Sequence, residues 1–370
     1  MKIREEFVLN GLEGGANKSE LCREYGISRK TGYKWLQRFR ELGIEGLRDM
    51  SRRPHSSPLR ASGEAVLVVL ELRHRHPRWG PKKLRRLLER RAEGEEVPSE
   101  RTIARILTRA GEVRQARPRP SGSAVDQAPH VQVAAPNDLW TADFKGWWRS
   151  QDGMRCEPLT VRDGCSRYLL CAELVKSTKG GPIRAHFEDL FDRCGLPLAI
   201  QVDNGPPFAS TSSRGGLTSL SAWWVSLGIQ LVRGRPGKPQ DNASHERMHV
   251  DLRFDVEDHA APTVEEQQAA LTVWRHEFNH VRPHEAIGLR VPAELYRRSP
   301  RPYRGTRPIA YPDYCHTRKV DLGGHISFKG SKAMLSRSLR GHQVGLEPLG
   351  QGLYRVHFYE MDLGEIKLEA

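Results

Sequence analysis

The sequence predicts a multidomain chain: α-helical units at the N-terminus, an α/β core with a mixed sheet in the middle, and a small β-barrel at the C-terminus. Three observations carry this. The first third holds two helix–turn–helix patterns. From about Asn137 the text turns to strands and then to alternating helix and strand. Beyond residue 305 it becomes short β-runs (HISFKG, HQVGLEPLG, LYRVHFYE) parted by glycine-rich turns.

In residues 18–40, a helix with Leu21 and Tyr25 inward meets Gly26, suited to a left-handed turn. Ser28 can cap a second helix carrying Tyr33, Leu36 and Phe39 on its buried side and Arg29, Lys30, Lys34 and Arg38 outside. The basic side chains suit phosphates and base edges; the other reading is an αα-hairpin with a solvated basic face. After a linker at Arg52–Pro58, residues 64–111 repeat the plan. Pro81 is placed for a first helical turn, Ser99 for a cap, and Arg101, Arg105 and Arg109 line the last helix. His74 and His76 have no metal-ligand spacing around them and read as surface residues. The Pro/Ser/Ala-rich stretch to residue 136 reads as a linker. The expected domains are thus 1–55, 60–115, a linker 116–136, 137–300 and 305–370.

Charge agrees with this division. The 370 residues carry a net +14, with +12 on residues 1–120, −2 on 121–300 and +4 on 301–370. Basic flanks around a near-neutral middle point to a polyanion, nucleic acid first and an anionic membrane surface second. No apolar run reaches the roughly 18 residues of a membrane span, and the start reads as a polar helix, not a signal segment. The six cysteines (22, 156, 165, 171, 194, 315) form no C-x-x-C pair. A reducing cytoplasmic location is expected, without disulfides or a zinc site.

In the middle region, DLWTADFKGWW alternates, with Trp140, Ala142, Phe144 and Trp148 on one face and Thr141, Asp143 and Lys145 on the other, as in a half-exposed strand. EPLTVRDG, SRYLLCAELV, LAIQV and GIQLV read as strands; helices are expected near 180–194, 216–227, 242–259 and 263–280. Asp203 ends the LAIQV strand before an abrupt Asn-Gly turn. Sites in open α/β sheets lie beyond such strand ends. A two-metal centre, with ions about 4 Å apart, needs a third acid. Glu246 stands in the first turns of the following helix, sharing a face with Asn242 and Val250; Asp251, Asp255 and Asp258 point elsewhere. Glu257 returns to that face roughly 16 Å farther on. Taken singly, each acid reads as a solvated charge.

Five stretches in order then matter together: LWTADFKG, VRDGCSRYLL, QVDNGPPF, GRPGKPQDNASHERMH and FNHVRPHEAIGLRVPAELY. They resemble the DDE transposase/retroviral integrase superfamily, and most closely the bacterial insertion-sequence transposases with N-terminal helix-turn-helix units. The resemblance spans nearly all the chain, most specifically residues 138–296. It implies a ribonuclease-H-like core with Asp143, Asp203 and Glu246 as catalytic acids holding two Mg²⁺ ions, Mn²⁺ being the substitute. It also implies cleavage and strand transfer of double-stranded DNA at terminal inverted repeats, target DNA as second substrate, and a homo-oligomer on DNA. A DNA-binding regulator with an inactive nuclease fold is the alternative.

The sequence departs from the pattern twice. Glu246 follows Asp203 by 43 positions rather than the usual ~35, an excess the polar loop PPFASTSSRGG can absorb. No His/Cys module precedes the core. Arg233, Arg235 and Lys238 adjoin the acids in a Gly/Pro loop and are expected at phosphates. Trp223 and Trp224 read as helix core, with base stacking the other reading. Asp163 reads as structural, and Asn279, Arg282 and His284 as packing and capping groups, DNA-backbone contact being the other reading.

Overall fold

In the computed structural model, which describes residues 2–50, 61–92, 96–113, 132–235 and 242–368, the chain divides into two units, Met1–Ser62 and Gly63–Ala370. The first holds α1 (Lys2–Leu12), α2 (Lys18–Glu24) and α3 (Arg29–Leu42). Asn17 caps α2 and Ser28 caps α3, accepting from Thr31 N at 3.2 Å. Gly26 takes the left-handed φ of +62° between them. Phe7, Val8, Cys22, Leu36 and Leu47 form the core. Tyr33, expected inside, is exposed. The buried stripe instead passes through Gly32, where an added Cβ would lie 2.5 Å from Cys22 Sγ and 2.7 Å from the Phe7 ring. The missing side chain lets α1 and α2 close on α3 there, which turns Tyr33 outward.

The second unit begins with α4 (Gly63–Arg75), α5 (Pro81–Arg91) and α6 (Glu100–Arg109). Leu72, Leu84, Ile103 and Leu107 are buried between them, and Pro81 and Ser99 stand at the expected helix starts. This trio is ion-paired to the core of the same unit through His76–Glu277 (3.0 Å), Arg90–Glu294 (3.3 Å) and Lys82–Glu285 (3.9 Å). His74 is at the surface as expected. His76 is not: its side chain is 12% exposed and its ring stacks on Trp79 at 3.9 Å. The indole and Glu277 together draw it inward.

The core comprises β1 (Leu139–Phe144), a two-stranded hairpin β2 (Trp148–Arg149) and β3 (Arg155–Cys156), then β4 (Pro158–Asp163), β5 (Leu169–Leu174), α7 (Gly180–Cys194), β6 (Ala199–Val202), α8 (Ser219–Ser226), β7 (Gln230–Arg233), α9 (Ala243–Asp255), α10 (Val264–His280) and α11 (Pro292–Leu295). The sheet order is β5-β4-β1-β6-β7. The β5-β4-β1 side is antiparallel and the β1-β6-β7 side parallel, the mixed sheet of an integrase-like, ribonuclease-H-like core. Helices cover both faces. Ile183, Phe187, Phe191, Trp223 and Trp224 of α7 and α8 pack on Trp140 and Ile200; the two tryptophans are core, as read. Met248, Leu252, Leu271 and Trp274 of α9 and α10 cover the opposite face. Consequently β1 is not half-exposed: Thr141 is buried beneath α9. Strand alternation alone cannot say what covers the polar face.

Asn279 ties α10 to β5, its side chain accepting from Leu169 N (2.8 Å) and donating to Leu169 O (2.9 Å). Arg282 is buried between Asp251 (2.7 Å) and Asp255 (3.3 Å), and His284 contacts Phe278 O. The FNHVRPH motif therefore packs the fold. Asp163 is fully buried and accepts from Asn137 N and from Ser166 N and Oγ, a structural role as read.

The C-terminal strands are β8 (His316–Lys319), β9 (His325–Phe328), β10 (Ser331–Met334), β11 (Gln343–Gly350), β12 (Leu353–Phe358) and β13 (Met361–Lys367). They form an open sheet of order β13-β12-β11-β8 and a separate β10-β9 pair, not the expected closed barrel. α8 helps cover this sheet: Leu217, Ala222 and Val225 share a core with Leu346, Val356 and Phe358. Among the described residues no helix is long and apolar enough to cross a membrane.

Candidate active site

The parallel register of β1 on β6 pairs Leu139 with Ala199, Trp140 with Ile200 and Thr141 with Gln201. Carried two residues on, the same register sets Asp143 beside Asp203, at adjacent strand ends about 4.8 Å apart. Gly205 makes room for the second acid, since a Cβ there would lie 3.0 Å from Asp203 Oδ2. Asn204 fixes the turn by donating to Gly234 O at 2.7 Å. The Asp203-Asn204-Gly205 sequence thus leaves an exposed carboxylate uncovered.

Glu246 arrives from the other side, on the first turn of α9. That turn is held by its neighbours. Arg162 of β4 donates to Ser244 O and to Ser244 Oγ, both at 2.6 Å. His245, fully buried, bridges Thr141 Oγ1 (Nδ1, 2.7 Å) and Thr160 Oγ1 (Nε2, 2.8 Å). One turn on, His249 Nε2 meets the same Thr160 Oγ1 at 2.8 Å. Burial holds both imidazoles below the usual histidine range, His249 down to about 3. A neutral, hydrogen-bonded anchor therefore holds the helix that presents an exposed Glu246.

The electrostatics link the acids. Burial pushes the Asp143 carboxyl up to about 7, and the negative charges of Asp203 and then Glu246 push the same way. Asn242 donates to Asp143 Oδ2 at 3.4 Å, while its own Oδ1 is buried without a partner. Lys145 does not neutralise the group, being engaged by Glu257 at 2.5 Å. Glu257 itself is not three turns along the same helix: α9 ends at Asp255 and Glu257 lies in a following 3₁₀ turn. The helix breaks at its C-cap Val256, so the spacing of an unbroken helix does not carry on to Glu257.

The basic residues are distributed differently. Arg29, Lys30, Lys34, Arg101, Arg105 and Arg109 are exposed, Arg38 partly so. Arg233 turns toward the sheet edge and donates to Gly215 O at 2.6 Å. Arg235 lies two residues past β7, and Lys238 lies outside the described residues.

Sequence reasoning missed Thr160, Arg162, His245 and His249. A signal was present: HERMH is an H-E-x-x-H pattern, with two histidines one turn apart. It is not arranged as in a zinc hydrolase. The two Nε2 atoms converge on the Thr160 hydroxyl, and His245 spends both ring nitrogens on threonines. Also missed was Trp147, half-exposed just past β1 with the Arg155 and Arg149 guanidiniums 5.0 and 5.5 Å from its ring.

Known families match along the chain: a helix-turn-helix domain over residues 4–55, a homeodomain-like domain over 31–107, integrase core domains over 133–239 and 227–292, and the C-terminal domain of IS481 family transposases over 315–370. An uncharacterized protein of insertion element IS407 from Burkholderia multivorans is 28% identical over 61% of this chain and 78% of its own length. One of insertion element IS476 from Xanthomonas euvesicatoria is 25% identical over 73% of this chain and 75% of its own. Among solved structures, the catalytic core domain of HTLV-2 integrase in complex with magnesium is 15% identical, covering 45% of this chain and 100% of that one at a TM-score of 0.35. With helix-turn-helix units, an integrase core and insertion-element relatives in one chain, the protein belongs to the insertion-sequence transposases of the DDE transposase/retroviral integrase superfamily.

Proposed function

We propose that the chain is an active transposase that binds the terminal inverted repeats of its element and catalyses DNA strand cleavage and strand transfer at Asp143, Asp203 and Glu246. The observation that carries this is the Asp143 carboxyl, raised to about 7 by burial and by the other two acids. Three carboxylates gathered without a neutralising side chain suit divalent cations. The donor set fits: carboxylate oxygens for hard ions, with the unpartnered Asn242 Oδ1 beside them. Two Mg²⁺, or Mn²⁺ in their place, would stabilise the attacking and leaving oxygens of an in-line displacement at phosphorus. The protein's own part is placement. β1 and β6 fix two acids on adjacent strand ends, the Thr141–His245–Thr160 contacts fix the helix bearing the third, and Gly205 keeps Asp203 open to substrate. Arg29, Lys30, Lys34 and Arg38 on α3, with Arg101, Arg105 and Arg109 on α6, would bind the repeats, and Arg233, Arg235 and Lys238 the phosphates near the cut.

The domain boundaries, an assembly on DNA of two or more copies pairing two ends, and action in the bacterial cytoplasm belong to the same reading. An inactive regulator would be expected to have lost one of the acids, and the sequence retains all three. The test is metal-dependent nicking of duplex carrying the element end. The wild type should cut and join, whereas Asp203→Asn should bind that duplex and do neither. A wild type that binds repeat ends yet never cuts them with Mg²⁺ or Mn²⁺ would favour the regulator.

A further inference from the structure

We propose that His249, through Nδ1, is a ligand of the cation held by Asp143, giving this centre a mixed oxygen–nitrogen donor set that favours Mn²⁺ over Mg²⁺. The inference rests on the metal-centre reading above and starts from hydrogen-bond accounting around Thr160. The Thr160 hydroxyl has one proton, and it is directed to Asp143 O at 3.0 Å. Both imidazole Nε2 atoms lie 2.8 Å from the same oxygen. With its proton committed, that oxygen can only accept, so both rings carry their hydrogen on Nε2. For His245 the remaining Nδ1 lone pair is met at 2.7 Å by the Thr141 hydroxyl, whose one proton favours this short contact over Arg162 O at 3.4 Å. For His249 the remaining Nδ1 lone pair faces Asp143 Oδ2 at 3.9 Å.

That distance is too long for a hydrogen bond. A neutral lone pair facing a carboxylate is also poorly matched, because both groups are acceptors. A cation between them resolves the mismatch. With ligand bonds of about 2.0–2.2 Å, two donors on one ion stand roughly 2.9–4.3 Å apart, and 3.9 Å falls inside that interval. The ligating atoms of Asp143, His245 and His249 all lie within 4.8 Å of one another. Only His249 has a nitrogen to spare, since His245 uses both. The Thr160 contact acts as the outer support that metal-binding imidazoles ordinarily receive, holding the ring's tautomer and direction. Imidazole suits Mn²⁺ and later transition ions, whereas Mg²⁺ prefers oxygen alone.

The experiment is Mn²⁺ titration of the full-length protein without DNA, followed by electron paramagnetic resonance and electron spin-echo modulation. The wild type should bind Mn²⁺ and show ¹⁴N modulation from a directly coordinated imidazole, and should prefer Mn²⁺ over Mg²⁺ by about tenfold or more. His249→Gln is the informative variant: its amide can still donate to Thr160 in place of Nε2, but it has no group at the Nδ1 position. It should melt like the wild type, lose the ¹⁴N modulation and lose most of the Mn²⁺ preference. His249→Asn, which offers an oxygen near the Nδ1 position, should bind Mg²⁺ at least as well as the wild type and show no modulation. Bound Mn²⁺ without ¹⁴N modulation in the wild type, or modulation surviving in His249→Gln, overturns the assignment and leaves the three-acid centre standing. Failure of the wild type to bind Mn²⁺ at all overturns both.

Discussion

The helix that delivers Glu246 and the helix that presents Arg29, Lys30 and Lys34 make an instructive pair. Both begin with an ordered N-terminal turn and both show a charged side chain to solvent. They are held by different means. α3 is seated by apolar contacts through Gly32 and Leu36, and its basic residues Arg29, Lys30 and Lys34 are exposed. α9 adds to its apolar residues Met248 and Leu252 a set of buried polar contacts: Ser244 on Arg162, His245 on two threonines, His249 on one, and Asp251 on Arg282. Apolar seating tolerates small shifts, which a helix proposed to read DNA can absorb. Directional hydrogen bonds in a dry interior fix position and tautomer, which a carboxylate facing two others requires.

The contrast can be broken most severely at the acids. Asp143→Asn, Asp203→Asn and Glu246→Gln should each lower cleavage and strand transfer by at least about a thousandfold, because in the proposed mechanism the ions serve both steps. Repeat binding should persist in each, measured by gel shift. Glu257→Gln, which loosens only Lys145, should stay within about tenfold of wild-type cutting. A loss equal to that of Glu246→Gln would mean the third acid is misplaced.

The next effect is on stability. His245→Ala strands the Thr141 and Thr160 hydroxyls in the interior and opens a cavity, at a cost of about 3–5 kcal/mol. Urea unfolding should show it, while Tyr33→Ala on the exposed side of α3 should change stability by less than about 1 kcal/mol. Similar losses in both would erase the difference between the two modes of seating.

A pH dependence follows from Asp143. Its folded pKa, about 7, lies above the ordinary carboxyl value. The folded state therefore holds the proton more tightly, and this group's contribution is most favourable at low pH. The metal-free protein should lose stability as pH rises from about 4 through 7, by at most roughly 4 kcal/mol. Asp143→Asn should remove that slope, and a bound divalent cation should reverse it. Unfolding in EDTA at pH 5 and pH 8 gives the comparison, and equal slopes in wild type and variant would count against a desolvated Asp143.

Smaller effects belong to the proposed DNA readers. Replacing Arg29, Lys30 and Lys34 by alanine should weaken DNA binding. It should also flatten the salt dependence, by about one unit of slope for each phosphate no longer neutralised. Melting should be nearly unchanged. Smallest are the caps: Ser28→Ala and Ser99→Ala should each cost about 1 kcal/mol, read by thermal melting.

The sequence by itself determined much of this protein. Gly26 and Ser28 marked a helix boundary because glycine reaches positive φ freely and serine satisfies a free amide, both local effects. The order of strands and helices, and the motifs around Asp143, Asp203 and Glu246, followed from periodicity and from resemblance. The tertiary structure decided what depends on atoms brought together from distant positions. Thr141 looked solvent-facing until α9 covered it, and Tyr33 looked buried until Gly32 let Phe7 in. The C-terminal strands looked like a closed barrel but form an open sheet that α8 helps cover. HERMH looked like an ordinary helix start until Thr160, 85 positions before His245, claimed both rings. Short-range rules record the preferences of a residue and its neighbours. Burial, charge coupling and the sharing of a single hydroxyl proton are properties of the assembled fold.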